Sequence, residues 1–218
     1  MKRNDFVVKD GSESDKGFFA RNIRIIAIAA VAVVLVVGIV LVARSLLNSK
    51  ASAEADKAYE AYSDYYSLSG DSTQDDINKA LTSLLQGEAN FSAKSPVAVR
   101  INFYKADLYD RLGDADGRIG SLEKIVSNAD SENYLLPIAL YDLAVAYEDK
   151  GDVSKAAERY YRIYEIYGSE SELSDRSLFA LYRIYCQNDV AKANGYKKIL
   201  EEEFKDSEYT KFLLAIGR

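Results

Sequence analysis

Apolar residues recur at intervals of three and four positions from about residue 50 to the C-terminus. This spacing is typical of amphipathic α-helices, whereas the alternation of apolar and polar residues expected of β-strands is absent. The pattern predicts an all-α fold with a first helix over about 50–66. A second helix is expected over about 74–86, and further helices from residue 96 onward.

Polar clusters between these segments predict the loops and the helix starts. Loops are expected at 69–71 and 87–95. Thr73 and Asp76 have the spacing of a capping box, with Asp in place of the usual Glu. Ser95-Pro96 fits an N-cap followed by the first helical position, so both helices have a defined beginning.

A sequence repeat appears in the second half of the chain, with an offset of 38 residues. The first copy contains Ala106, Tyr109, Gly113 and Asp114, and the second contains Ala144, Tyr147, Gly151 and Asp152 in the same spacing. A third copy has Tyr182 and Tyr185, followed by Asn188-Asp189 after a turn that is one residue shorter. A helical period of this length predicts a solenoid of stacked helix pairs.

The middle copy resembles a tetratricopeptide repeat when its residues are numbered from Pro137. Small residues at positions 8 and 20 would let two helices approach closely, and large residues at positions 4, 7, 11, 24 and 27 would fill the space between repeats. These residues are Ala144 and Ala156, and Leu140, Leu143, Tyr147, Tyr160 and Ile163. Gly151 suits a left-handed helix end, and Asp152 suits the cap of the next helix.

The flanking copies depart from this pattern. The first has Lys105 and Arg118 where Leu and Ala are expected. In the third, Tyr196 and Ile199 are matched to positions 24 and 27. Residues 74–86 are expected to form the second helix of a degenerate earlier repeat, and residues 207–218 a helix that caps the last one.

Residues 25–43 form an uninterrupted apolar run of 19 residues without a charged side chain. A helix of this length spans the roughly 30 Å hydrocarbon core of a bilayer, so the run predicts a single transmembrane helix. A cleaved signal peptide is the alternative, since Ala51-Ser52-Ala53 offers a cleavage pattern. The length of the run and the acidic residues before it favour a retained anchor.

Basic residues are more numerous before the predicted span than after it. Six basic residues lie in 1–24, against three within about 20 residues after the span. This bias predicts a cytoplasmic N-terminal tail and an extracytoplasmic domain.

Charge and composition exclude several classes of function. The formal net charge is −6, and the acidic residues dominate after the span, which argues against a nucleic-acid partner. The chain has no His, so histidine-based triads and zinc sites cannot form within it. The one cysteine, Cys186, is expected to be a small buried residue. No catalytic motif is found, so we expect no enzyme activity, cofactor or metal.

The repeat register predicts which residues line a binding groove. They occupy positions 2, 5, 9 and 12 of the first helix in each copy, where aromatic and charged side chains suit a protein segment. The predicted groove residues are Arg100, Phe103, Asp107, Asp110, Ile138, Tyr141, Val145, Glu148, Arg176, Phe179 and Arg183, with Cys186 at the last position.

The layout as a whole is similar to one bacterial family. A short charged tail with the segment GFFARN at 17–22 leads into one apolar span, a long helix and tetratricopeptide-like repeats. This layout resembles the YfgM-type ancillary subunits of the SecYEG translocon. The resemblance implies an inner-membrane anchor, repeats in the periplasm, and work beside the translocon with periplasmic chaperones.

The expected organisation has four parts. These are a cytoplasmic tail (1–24), a transmembrane helix (25–43), a linking helix with a degenerate repeat (44–95), and the repeats with their capping helix (96–218). We expect a scaffold or chaperone-like adaptor that binds proteins or unfolded polypeptide segments. The alternatives are a solute-binding subunit, or an adaptor of another envelope complex for outer-membrane assembly, division or motility.

Overall fold

The computed structural model describes residues 38–42, 44–47 and 49–216. The chain divides into two compact units, Met1–Ala55 and Asp56–Arg218. In the first unit, the described residues are helical. The predicted tail (1–24) and most of the predicted span (25–43) lie outside the described residues. Within the described ranges, no helix is both long enough and apolar enough to cross a bilayer.

The described part of the second unit consists of helices and turns without a β-strand, as the apolar periodicity predicts. Its helices are α1 (56–66), α2 (Gln74–Glu88), α3 (Pro96–Arg111), α4 (Ala115–Asn128), α5 (Leu135–Asp149), α6 (Val153–Tyr167), α7 (Ser174–Tyr185), α8 (Val190–Glu203) and α9 (Glu208–Ile216). A short 3₁₀ turn, Gly168–Glu170, follows α6.

The helices pack as successive hairpins, each of which contacts its neighbours along the chain. We call α1, α3, α5 and α7 the A helices, and α2, α4, α6 and α8 the B helices. Hydrogen bonds join the A helices of adjacent hairpins to each other, and the B helices to each other. The Tyr66 and Tyr104 hydroxyls lie 2.8 Å apart across 38 residues of sequence, and Tyr164 donates to Glu203 across 39. Contacts at one repeat length are those of a solenoid, which confirms the prediction.

Among the hairpin turns of the three repeat copies, the first two use a glycine in the left-handed conformation. Gly113 has φ 72° and Gly151 has φ 79°. The aspartate after each glycine caps the next helix, since the backbone N–H groups of Gly117 and Lys155 donate to Asp114 and Asp152. In the third turn Asp189 accepts from the Lys192 N–H in the same way.

The middle repeat has the core that its sequence predicts. Leu140, Leu143, Ala144, Tyr147, Ala156, Tyr160 and Ile163 are all buried. In the third copy the predicted register of the second helix is wrong by one residue. Ala193 and Leu200 are buried there, whereas Tyr196 and Ile199 are only partly buried. The shorter turn moves α8 back by one position, so the offset from the middle copy is 37.

The first copy replaces part of this apolar core by a buried polar cluster. Lys105 is 3% exposed and donates to Glu88 at 2.6 Å and to Asn102 at 3.2 Å. Lys124 donates to the other Glu88 oxygen at 2.9 Å. Burial lowers the pKa of Lys105, and Glu88 opposes the effect. The cluster therefore joins α2, α3 and α4 through charge-assisted hydrogen bonds.

Arg118, the second departure in the first copy, is not in the core. Gly117 takes the role of the small residue at this helix crossing, since a Cβ there would lie 2.4 Å from the Tyr109 ring. The Arg118 guanidinium instead lies 2.9 Å from Asp110. The Arg118 side chain therefore lies outside the interface between α3 and α4, on the side where the A helices lie.

The loop predicted at 87–95 begins two residues later than expected. Gly87 lies inside α2 and is buried against α1, where Ala61 approaches it closely. Glycine allows this contact because it has no Cβ, so its role here is in packing and not in a turn.

Replacing Gly87 by Ala should destabilise the protein. The added Cβ would lie 2.4 Å from the Ala61 Cβ and 3.2 Å from its Cα, which cannot move without shifting α1. We expect a loss of about 1–3 kcal/mol in the free energy of unfolding, measured by denaturant titration with far-UV circular dichroism. The control is Gly120→Ala in α4, where the Cβ meets no atom within 4 Å. It should stabilise the protein by about 0.5–1 kcal/mol, and equal effects of the two changes would contradict the packing role.

Ionised Glu88 should make stability depend on pH. Burial alone would raise the pKa of Glu88, but hydrogen bonds from Lys105, Lys124 and Asn102 lower it from 4.5 to about 2. Because the folded-state pKa is the lower one, the stabilisation is complete above pH 4.5 and is lost as the pH falls towards 2. Glu88→Gln should therefore cost about 1–2 kcal/mol near neutral pH, and progressively less in acid.

The matched control for this titration is Glu202→Gln. Glu202 pairs with Lys198 at 3.7 Å on the surface, where both side chains are mostly exposed. Its removal should change the free energy of unfolding by less than about 0.5 kcal/mol at every pH. A deficit of the Glu88 variant that stays constant from neutral pH to about pH 2.5 would refute the assignment.

Candidate protein-binding surface

The eleven predicted groove residues all lie on A helices. Arg100, Phe103, Asp107 and Asp110 are on α3; Ile138, Tyr141, Val145 and Glu148 are on α5; and Arg176, Phe179 and Arg183 are on α7. Each of these residues is partly or fully exposed. We call the surface that they define the A-layer face. Its role as a binding groove stays a prediction, because position and exposure alone do not show binding.

Side chains on adjacent A helices contact each other across this face. Arg183 donates to both oxygens of Glu148, at 2.7 and 2.8 Å, and the Tyr160 hydroxyl donates to the same carboxylate at 2.7 Å. The Arg176 guanidinium lies 4.7 Å from the centroid of the Tyr141 ring, within cation–π range. These contacts fix the side chains of α5 and α7 in place.

The terminal helix α9 extends the A-layer face with two aromatic rings. Phe179 stacks on Tyr209 at a centroid distance of 5.1 Å and meets Phe212 edge to face at 5.8 Å. Phe212 remains 52% exposed. The sequence predicts α9 only as a cap. The structure adds that its aromatic residues enlarge the apolar part of this face.

A cavity of about 280 Å³ lies in the A-layer face. Its lining contains three of the predicted residues, Phe103, Asp107 and Asp110. The remaining lining residues are Tyr65, Ala106, Arg118, Leu122 and Asp142. Three carboxylates and one guanidinium therefore line this space, so its charge is negative.

Two of the three carboxylates are already paired. Asp107 accepts from Tyr65 at 3.1 Å and lies 3.0 Å from Arg111. Burial and the Asp107 carboxylate raise the pKa of Tyr65 to about 12, which keeps the phenol neutral and a donor. Asp110 pairs with Arg118 at 2.9 Å.

The third carboxylate, Asp142, has neither an ion pair nor a side-chain hydrogen bond within the described part of the chain. Burial raises the pKa of Asp142, and the positive charge of Arg118 partly offsets this effect. Asp142 is of intermediate exposure, so its carboxylate is partly shielded from water and is still accessible as an acceptor for a ligand.

Sequence reasoning misses several residues of this cavity. Asp142 directly follows the predicted Tyr141 and lies about 100° further around α5, outside the positions that the repeat register selects. Arg118 is noticed in the sequence only as a departure from the repeat. Tyr65 comes from the preceding hairpin, and no short-range pattern relates it to Asp107. A polar residue at a usually apolar or small position is the one sequence signal that could have led to Arg118.

Cys186 differs from its prediction. It lies at the C-terminal end of α7 and is of intermediate exposure, so the expectation of a buried residue is wrong. Among the residues that the structure describes, no three His, Cys, Asp or Glu side chains are placed to hold a metal ion.

Comparison with known proteins identifies the fold. No protein-family model matches the chain. The TPR repeat-containing protein MJ1428 of Methanocaldococcus jannaschii is 31% identical over 101 residues, which cover 46% of this chain and 17% of that protein. The match thus spans only a small part of the archaeal protein.

Two solved structures are similar to the chain. A single-residue variant of the TPR-like repeats of a putative kinesin light chain from Podosopora anserina superposes with a TM-score of 0.50 at 20% identity, over 62% of this chain and 72% of that one. MamA gives a TM-score of 0.45 at 21% identity, over 59% and 70%. The similarity to the kinesin light chain repeats concerns the fold: the described chain has an all-α, tetratricopeptide-like solenoid fold.

Proposed function

We propose that this chain is a protein–protein interaction scaffold that binds partner polypeptides on the A-layer face. The observation that carries the proposal is the combination of exposed aromatic rings and fixed charges on neighbouring A helices. Aromatic residues and arginine are the side chains that contribute most to protein interfaces. Extended faces of this kind are the binding surfaces of helical solenoids.

The cavity supports a polypeptide more than a solute. Sites that enclose small molecules usually have about 300–1,000 Å³ and cover most of the ligand. The space here is about 280 Å³, near the lower end of that range, and is lined by five polar side chains, while aromatic rings of Phe179 and Tyr209 lie elsewhere on the same face. A single side chain of a bound segment suits this geometry, with the rest of the segment on the open face. A solute-binding subunit is therefore the weaker alternative.

We further propose that the scaffold is anchored in a bacterial inner membrane by residues 25–43, with its repeats on the extracytoplasmic side. The apolar run supports this proposal through the solvation argument. The described residues Ile39, Val40, Leu41 and Val42 are also 57–68% exposed, a costly arrangement in water unless lipid or protein covers them. The resemblance to YfgM-type subunits favours a chaperone-like role at the translocon in the biogenesis of envelope proteins.

Photo-crosslinking in cells tests the binding face. A photoreactive amino acid in place of Phe103, Tyr141 or Phe179 should yield crosslinks to other polypeptides, because these positions lie on the A-layer face. The control position is Tyr161 on the B helix α6, which is 42% exposed. Crosslinks from Tyr161 with none from the three A-layer positions would refute the proposed face. Translocon subunits, periplasmic chaperones or emerging chains among the products would support the translocation role.

Membrane fractionation tests the proposed anchor. The chain should remain in the membrane pellet after alkaline carbonate extraction. A Val33→Arg, Val36→Arg double variant should appear in the soluble fraction, because each charge at the centre of a span costs about 2.5–3.5 kcal/mol on insertion scales.

Ser52→Arg adds the same kind of charge outside the span and should leave the chain in the pellet. Release of the unmodified chain by carbonate would refute the anchor. Protease added to intact spheroplasts should digest the repeats, and protection of the repeats would contradict the proposed orientation.

A further inference from the structure

We propose that the cavity in the A-layer face receives a lysine or arginine side chain of the bound polypeptide, with the Asp142 carboxylate as its principal acceptor. This inference rests on the proposed function and specifies the chemistry of its partner. The surface is thus selective for a segment with a basic residue beside apolar ones.

Charge complementarity is the first argument. Among the groups lining the cavity, Asp107 and Asp110 are compensated by Arg111 and Arg118 at 3.0 and 2.9 Å. Asp142 adds a negative charge that no side chain of the described residues neutralises by direct contact. A cationic side chain would complete this arrangement, whereas an acidic one would add a fourth carboxylate to the cavity.

The walls of the cavity are the second argument. Phe103, Leu122 and Ala106 provide apolar surface beside the carboxylates. Lysine and arginine have long methylene stems that pack on such surface while the charged end reaches an acceptor. The phenol of Tyr65 and the ring of Phe103 also provide aromatic faces, which attract cations.

Partial burial of Asp142 is the third argument. The backbone of α5 holds this carboxylate in the lining of a concave space, and burial raises its pKa because water is partly excluded. Folding therefore already removes part of the water around Asp142, so less desolvation remains when a ligand binds. A cation that donates to Asp142 would add a charge-assisted hydrogen bond that no described side chain provides, and partial exclusion of water would strengthen it.

The A-layer face beyond the cavity indicates what else the segment carries. The rings of Phe179, Tyr209 and Phe212 form an apolar platform at the far end of the same helical layer. An apolar or aromatic residue of the segment suits this platform. Arg176 and Arg183 are already bound to Tyr141 and Glu148, so they leave little free positive charge for an acidic partner.

The test uses the full-length chain in mild detergent and fluorescent 12-residue peptides of Ala, Ser, Leu and Phe. Each peptide carries one central Lys, Arg, norleucine or Glu, and affinities are measured by fluorescence anisotropy. The Lys and Arg peptides should bind at least about tenfold more tightly than the norleucine and Glu peptides, as a charge-assisted hydrogen bond predicts. The preference should shrink as salt is added.

Asp142→Asn is the decisive variant, because it removes the charge and keeps the shape. We expect it to reduce the Lys preference to less than about threefold without lowering the melting temperature, since Asp142 has no direct partner to lose and burial disfavours its charged form. Asp130→Asn is the matched control. Asp130 lies in the loop between α4 and α5 and does not line the cavity, so the preference should persist.

The outcomes separate this inference from the proposed function. Equal affinity for Lys and norleucine peptides, with binding lost in Phe179→Glu, would overturn the basic-residue specificity and leave the scaffold proposal standing. Equal loss of the preference in Asp130→Asn and Asp142→Asn would overturn the assignment to the cavity. Absence of binding by every peptide, together with silent A-layer crosslinks, would overturn the scaffold proposal itself.

Discussion

The burial of apolar surface between neighbouring helix hairpins is the interaction on which the rest of this structure depends. A single pair of helices cannot cover its own apolar residues, so each hairpin requires the next one. Leu140, Leu143 and Ile163 of the middle repeat are fully buried for this reason. The same stacking places the A helices side by side, and their outward residues then form a surface that no single hairpin could provide.

The sequence predicts the parts of the fold that depend on local chemistry. The caps at Thr73 and Ser95, the left-handed Gly151 and the middle-repeat core follow from short-range spacing, and the structure agrees. Features that depend on distant contacts are missed. The role of Gly87 is set by Ala61 in another helix, and the register of α8 is set by a turn with one residue fewer. For the candidate site, the A-helix positions are foreseen, whereas the cavity is not, because Tyr65, Arg118 and Asp142 meet there from three different helices.

The departures of the first repeat from the usual pattern are connected with the chemistry of the candidate site. At the interface of α2 and α3, Lys105 is held in the core by Glu88, so the ion pair of a buried lysine replaces an apolar contact. At the crossing of α3 and α4, Gly117 provides the space for Tyr109, and Arg118 is free to reach Asp110. A regular repeat, with Ala in place of Arg118, would leave Asp110 uncompensated. Residues of the irregular first copy thus form most of the cavity lining. The departures of this copy from the tetratricopeptide pattern are therefore part of the candidate site.

Paired and unpaired charges on the A-layer face differ in what they can contribute to binding. Glu148 and Arg183 already satisfy each other, so a partner gains little by contacting them and would lose energy by separating them. Their contribution is to hold the face rigid, which lowers the entropic cost of association. In the proposed complex, aromatic rings such as Phe179 would supply most of the contact area. Selectivity has to come from a group whose interaction is still incomplete, and within the cavity that group is Asp142. A scaffold built in this way can accept many apolar segments weakly, and discriminate among them by one charge.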